Sequence, residues 1–341
     1  MRIFKRFTLY ILSIALVVTV VSAAFIIPWL NAPVDDHDQV LRARLAGQID
    51  TLIIGQSYAM DGIMPGKLDE KLGTVTYNLS GSLMPVYGQK YMVEKELARN
   101  PVKHVLIEIT PDTFTTNQRI TYGNGDSYIV ARLDSLAEQL EYMVRCVQPS
   151  DWPSIYARML LLSMRFLVNQ IFGNVELAED ANMGFNPQRG QDVSGDQAWA
   201  QAAYQSSSVF GNPIGENIQQ YEDMIQMCLD AGCDVTLVYT PVCHAKIWQL
   251  YDQDTFLDWA HALGNKYDIP VFDFNLLSSR YELFNDYTSF SDDNHLSAEG
   301  AAVFSELMAE ILFRYRNGED VSHYFYPTYW SAIQDSVYWD R

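Results

Sequence analysis

Five short apolar runs punctuate the chain, at Asp50–Gly55, Val75–Leu79, Val102–Ile109, Asp234–Tyr239 and Pro270–Phe274. Each has strand length and reads as continuously apolar rather than alternating, the pattern of a strand covered on both faces. Stretches with helical spacing lie among them: Pro85–Arg99, Asn217–Ala231, Thr255–Tyr267 and Ser297–Tyr315. Gly232 stands where a helix-ending glycine is expected, and Ser297 where an N-cap hydroxyl is. Strands alternating with helices of this length predict βαβ units and a parallel sheet, an α/β fold. Sites in such sheets form beyond the carboxyl ends of strands. Ser57, Thr110 and Pro241 come just past strand ends, and His295 follows the last strand.

The rhythm breaks between about residues 111 and 211. Ser135–Cys146 and Ile155–Ile171 have helical patterning, whereas Ala178–Ser208 is rich in Gln, Gly and Asn. We read this stretch as a helical insertion over the active edge of the sheet. The N-terminus differs again. Arg2, Lys5 and Arg6 precede a stretch without charge from Phe7 to Val34, whose apolar heart is Leu9–Leu30. About 20 residues suffice to cross the hydrocarbon layer, and the basic flank predicts a cytoplasmic N-terminus with the body outside. The expected organisation is an N-terminal transmembrane signal-anchor over residues 1–30 and a linker over 31–48. An α/β domain over 49–315 and an aromatic-rich tail over 316–341 complete it. A cleaved signal peptide ending near Ser22-Ala23-Ala24 is the alternative; both place the body in an extracytoplasmic compartment.

The 341 residues can bury a sizeable core, and 48% hydrophobic with 19% charged residues is an ordinary globular balance. A net charge of −19 argues against nucleic acid as a partner, since phosphate binding needs clustered Lys and Arg. No spacing suggests a metal site, and no cofactor is implied. Cys228 and Cys233 lie five apart and either pair or serve as small buried hydrophobes; Cys146 and Cys243 have no evident partner.

Two distant segments carry the chemistry. Thr51-Leu52-Ile53-Ile54-Gly55-Gln56-Ser57 sets a serine beyond a buried strand, and Phe290-Ser291-Asp292-Asp293-Asn294-His295-Leu296 sets an acid three residues before a histidine. That offset lets Asp292, in preference to Asp293, turn back onto the imidazole. A nucleophile, a general base and its orienting acid are the parts of acyl transfer through a serine ester.

At these residues the chain resembles the SGNH (GDSL) hydrolases. The closer similarity is to a membrane-anchored branch that includes alginate O-acetylation proteins and the D-alanyl transfer protein of teichoic acid. The resemblance runs from about Asp50 to Tyr315. It implies a three-layer α/β/α, flavodoxin-like sheet, with Ser57, Asp292 and His295 catalytic. Asn78-Leu79-Ser80-Gly81-Ser82 resembles the family's oxyanion turn, so the backbone N–H groups of Ser57 and Gly81 are the expected donors. The family's Gly-x-Asn-Asp block is missing: Glu108-Ile109-Thr110-Pro111-Asp112 stands in its place. Losing one oxyanion donor typically costs about 3 kcal/mol of transition-state stabilisation.

Candidate substrate contacts are Gln56 beside the serine, Asn117 as a stand-in for the absent Asn, Arg189 in the turn-rich stretch Met183–Gly190, and His244 past the fourth strand. The expected activity is hydrolysis of, or acyl transfer to, cell-envelope or exported polysaccharide. The resemblance further implies an acylated carbohydrate substrate and a multi-pass membrane acyltransferase as partner. A non-catalytic polysaccharide-binding or scaffold subunit of an acylation complex is the alternative. The tail aromatics between Tyr324 and Trp339 either pack on the body or form a sugar platform, packing being the expectation.

Overall fold

The computed structural model describes residues 44–118, 125–158, 212–243, 253–284, 288–292 and 294–335, with Tyr10, Ser13, Leu16, Arg42, Phe185, Lys246 and Ile247. Nearly all of the expected anchor therefore lies outside the described residues. Among those described, no helix is long and apolar enough to cross a membrane. The chain divides into two compact units, one of Leu41–Ile129 with Ala178–Arg341, the other of Met1–Val40 with Val130–Leu177.

The larger unit is built on five parallel strands, β1 (Thr51–Ile54), β2 (Thr76–Asn78), β3 (His104–Glu108), β4 (Asp234–Tyr239) and β5 (Val271–Asp273), in the order β2-β1-β3-β4-β5. This is the flavodoxin-like order, and its reversal falls between β1 and β3. Helices α1 (Ser57–Gly62), α2 (Pro65–Leu72), α3 (Val86–Arg99) and α4 (Pro111–Thr115) connect the early strands. Next come α5 (Gly125–Arg132) and, in the smaller unit, α6 (Leu136–Cys146), where the Ser135 hydroxyl accepts the Glu138 N–H as an N-cap. The later helices are α7 (Gly215–Asp230), α8 (Gln253–Tyr267), α9 (Arg280–Leu283), α10 (Ala298–Arg316) and α11 (Tyr329–Gln334).

The strands are largely buried because both sheet faces are covered. Ile53, Leu106, Val238 and Phe272 share one face and join a cluster with Phe304, Met308 and Leu312 of α10. Residues of the opposite parity, such as Tyr239, meet α8, where Tyr239 packs edge-on against Phe256 at 5.3 Å. Phe185 is also buried in the α10-side cluster. All four cysteines are free thiols, so Cys228 and Cys233 serve as buried small side chains rather than a bridge.

The tail packs as expected where it is described. Tyr324 and Phe325 lie against the core, and Tyr329 is buried and donates its hydroxyl to Asp273 at 2.6 Å. Trp330 stays exposed, and Tyr338 and Trp339 lie outside the described residues. Burial pushes the Asp273 carboxyl up to about 6, against the hydrogen bonds from Tyr329 and Asn275. A carboxyl raised above its unfolded value stabilises the fold below about pH 4 and loses that contribution as pH rises through about 6. Asp273→Asn is accordingly expected to show a smaller fall in urea midpoint between pH 4 and pH 7 than the wild type. Equal falls in the two proteins would refute this assignment.

Candidate active site

The nucleophile turn follows from how closely β1 and β3 end side by side. A Cβ on Gly55 would sit 2.5 Å from both Cβ and Oε2 of Glu108, so only glycine lets the strand ends meet. The Gln56 N–H donates to Glu108 Oε2 at 2.8 Å, and α1 starts at the next residue, Ser57. Asn78, closing β2, fastens the new helix: its Nδ2 donates to the carbonyls of Ala59 and Ile63 at 2.8 and 3.0 Å, while its Oδ1 accepts the Ser80 N–H. Ser57 is thus held on a short helix pinned at both ends, 7% exposed.

The histidine loop is staked by two buried apolar residues. Phe290 and Leu296 pair across an antiparallel bridge, and the Ser291 and Ser297 N–H groups donate to the carbonyls of His295 and Ser289. Within this loop Asp292 Oδ1 accepts the N–H groups of Asn294 and His295, at 2.8 and 2.9 Å. That turn folds the carboxylate back, placing Oδ1 and Oδ2 at 2.7 and 2.8 Å from His295 Nδ1. His295 Nε2 lies 2.7 Å from Ser57 Oγ. An ionised carboxylate only accepts, so Nδ1 carries the ring proton and Nε2 accepts from the serine hydroxyl. Burial alone would raise the Asp292 carboxyl, but the His295 side chain and the two backbone donors hold it below its ordinary value. Tyr58 flanks the imidazole at 5.4 Å between ring centroids and donates its hydroxyl to Asn294 Oδ1 at 3.1 Å.

The structure therefore brings Ser57, His295 and Asp292 into one hydrogen-bonded chain. The Gly81 N–H donates to the Gly55 carbonyl at 3.3 Å, so the expected second oxyanion donor is already engaged. Gln56 is buried and its Nε2 donates to the Met84 carbonyl at 3.3 Å, so its amide is engaged within the fold. Asn117 lines a shallow cleft with Tyr87, Gln118 and Ile214, and none of the three chained side chains lines it. Arg189 and His244 lie outside the described residues. Among those described, no group of His, Cys, Asp or Glu gathers as metal ligands would. Two residues that build the site escaped sequence reasoning, Asn78 and Glu108. Their one sequence signal is a polar residue closing an apolar strand.

No protein-family model matches the chain, and no curated protein matches it. Among solved structures, the fold aligns with a protein assigned as an acylhydrolase from Bacteroides fragilis, at 9% identity and a TM-score of 0.38, over 84% of this chain and 98% of that one. An inhibitor-bound aryl esterase of M. smegmatis aligns at 12% identity and 0.31, over 77% and 98%. A carbohydrate acetylesterase from Sinorhizobium meliloti aligns at 10% and 0.32, over 78% and 98%. At such identities and scores these likenesses carry no argument about chemistry, which rests on the side chains alone.

Proposed function

We propose that this chain is a serine-dependent acyl-ester hydrolase or O-acyltransferase. The observation that carries the reading is the unbroken chain from Ser57 Oγ through His295 to Asp292. Ser57 Oγ attacks an ester carbonyl carbon while its proton passes to His295 Nε2, and the carbonyl π electrons move onto oxygen. Collapse of the tetrahedral species expels the alcohol, which takes the proton back from Nε2 and leaves an acyl-serine. Water as the next acceptor completes hydrolysis; a sugar hydroxyl completes transfer. Asp292 keeps the Nδ1 tautomer throughout. The Ser57 N–H, at the first position of α1, lies ahead of the helical ladder and serves the oxyanion. For Gly81 to act as second donor, its N–H has to leave the Gly55 carbonyl.

The substrate class assigned is acylated cell-envelope or exported carbohydrate. It rests on the uncharged stretch Phe7–Val34, read as an anchor that holds the α/β domain outside the membrane. The SGNH resemblance, down to its membrane-anchored branch, is proposed on the Gly-x-Ser and Asp-x-x-His segments.

A fluorophosphonate probe tests the reading directly. Covalent labelling of the full chain is expected at Ser57, mapped by peptide mass, and is expected to vanish in Ser57→Ala. Labelling that survives the substitution would sink the assignment. No labelling of a folded wild type would favour a carbohydrate-binding subunit that retains the fold without the reaction.

A further inference from the structure

Glu108 ends β3 one residue past the Ile54–Ile107 pair, opposite Gly55, where the strand order reverses. The side chain is fully interior, at 1% exposure. Its Oε2 accepts the N–H of Gln56, the peptide that leads into Ser57. Oε1 is buried and has no hydrogen-bond partner among the described residues. Its Cβ and Oε2 fill the space that a side chain on Gly55 would need. A buried acid with an unsatisfied oxygen costs free energy that an apolar residue would not. What the acid supplies there is an acceptor aimed at one particular N–H.

We propose that Glu108 is a positioning residue for Ser57, its carboxyl clamping the Gly55–Gln56 peptide and so fixing the turn that holds Ser57 Oγ against His295. This rests on Ser57 being the nucleophile. The clamp acts in its neutral form. Burial raises the carboxyl to about 8, with the Gln56 N–H opposing and the charge of Asp112 adding to the rise. Among the described residues, the Gln56 N–H in the turn and the charge of Asp112 on α4 act on it, and its own charge acts on Tyr239 of β4, which the Arg280 cation opposes. The Tyr239 hydroxyl is itself pushed well above its ordinary range, by burial first and then by the charges of Asp273, Asp112 and Glu108. Neutral Glu108 accepts from Gln56 through Oε2 and keeps its proton on Oε1. Losing that proton leaves a buried charge with a single donor. It also sets negative charge beside the turn where the reaction develops its own. Turnover therefore falls as pH rises through about 8.

The test is p-nitrophenyl acetate turnover by the full chain between pH 6 and pH 10, corrected for spontaneous hydrolysis, with folding checked by circular dichroism at each pH. Wild type, Ser57→Ala, Glu108→Gln and Glu108→Ala are compared. Above pH 8 the wild-type kcat is expected to fall about tenfold or more, to a lower plateau set by the ionised form, along the curve of one titrating group. Glu108→Ala removes the acceptor, and a displaced nucleophile is expected to cost about 10- to 100-fold in kcat with KM little changed. Glu108→Gln restores the acceptor without the proton. It is expected to recover most of that loss at pH 7 and to lose the alkaline fall. An alkaline fall shared by wild type and Glu108→Gln would overturn the proposal, as would wild-type kcat in a folded Glu108→Ala. If Glu108→Ala does not fold, the Glu108→Gln profile decides alone. Wild-type turnover that Ser57→Ala retains would instead remove the nucleophile assignment, and this inference with it.

Discussion

Asp292→Asn is expected to lower turnover by about four orders of magnitude while leaving the fold intact, a loss of the size seen when a triad acid is made an amide. The local geometry dictates why. Asp292 Oδ1 is held by the N–H groups of Asn294 and His295, so an asparagine there keeps its one oxygen on those donors. Its Nδ2 then takes the place of Oδ2, 2.8 Å from His295 Nδ1, while Oδ1, 2.7 Å from the same nitrogen, is already engaged by the two backbone N–H groups. A donor facing Nδ1 drives the ring proton to Nε2, and Nε2 can no longer accept from Ser57 Oγ. Imidazole orientation survives and the tautomer is wrong. Stability should change little, because the Asp292 side chain is half exposed and the turn keeps its acceptor. Initial rates on p-nitrophenyl acetate, with circular dichroism alongside, check both halves. A loss below about tenfold would mean that another acid, Asp293 first, orients the histidine.

The α/β fold was legible because parallel strands carry their burial in composition. All five expected runs contain strands; Asp234–Tyr239 is a strand over its whole length, and the other four are trimmed at their ends, as Asp50–Gly55 becomes Thr51–Ile54. Local chemistry was legible for the same kind of reason. Ser297 caps α10 by accepting the Gly300 N–H, and the three-residue offset from Asp292 to His295 closes within one loop. What stayed hidden depends on strands far apart in sequence. Glu108 reads along the chain as an interruption of an apolar run, in a place where the family resemblance leads one to look for an asparagine. Only the β1–β3 register sets it against Gly55 and Gln56. The Gly81 N–H reads as a free donor until the Gly55 carbonyl is brought beside it, and Gln56 reads as substrate-facing until the Met84 carbonyl is. Side chains whose partners lie on another strand or loop are where a single sequence runs out.

Glu96→Ala should destabilise the larger unit by about 3–5 kcal/mol, the penalty for removing one partner of a buried ion pair. Glu96 on α3 meets Arg42 Nη1 at 2.7 Å, with both side chains only 2% exposed. The second carboxylate oxygen accepts Asn100 Nδ2 at 2.8 Å, and Asn100 Oδ1 in turn accepts the Gly47 N–H. Hydropathy places Arg42 and Gly47 in a polar linker, yet these bonds dock them on α3 immediately ahead of β1. Removing the Glu96 carboxylate leaves the guanidinium buried and charged, whereas Arg42→Met with Glu96→Leu removes both charges and fills the space. That double variant is expected near or above wild-type stability, so its urea midpoint should lie close to or above the wild-type value and that of Glu96→Ala well below it. A loss under about 1 kcal/mol for Glu96→Ala is what a solvated surface pair gives. It would mean that Arg42 leaves Glu96 in solution.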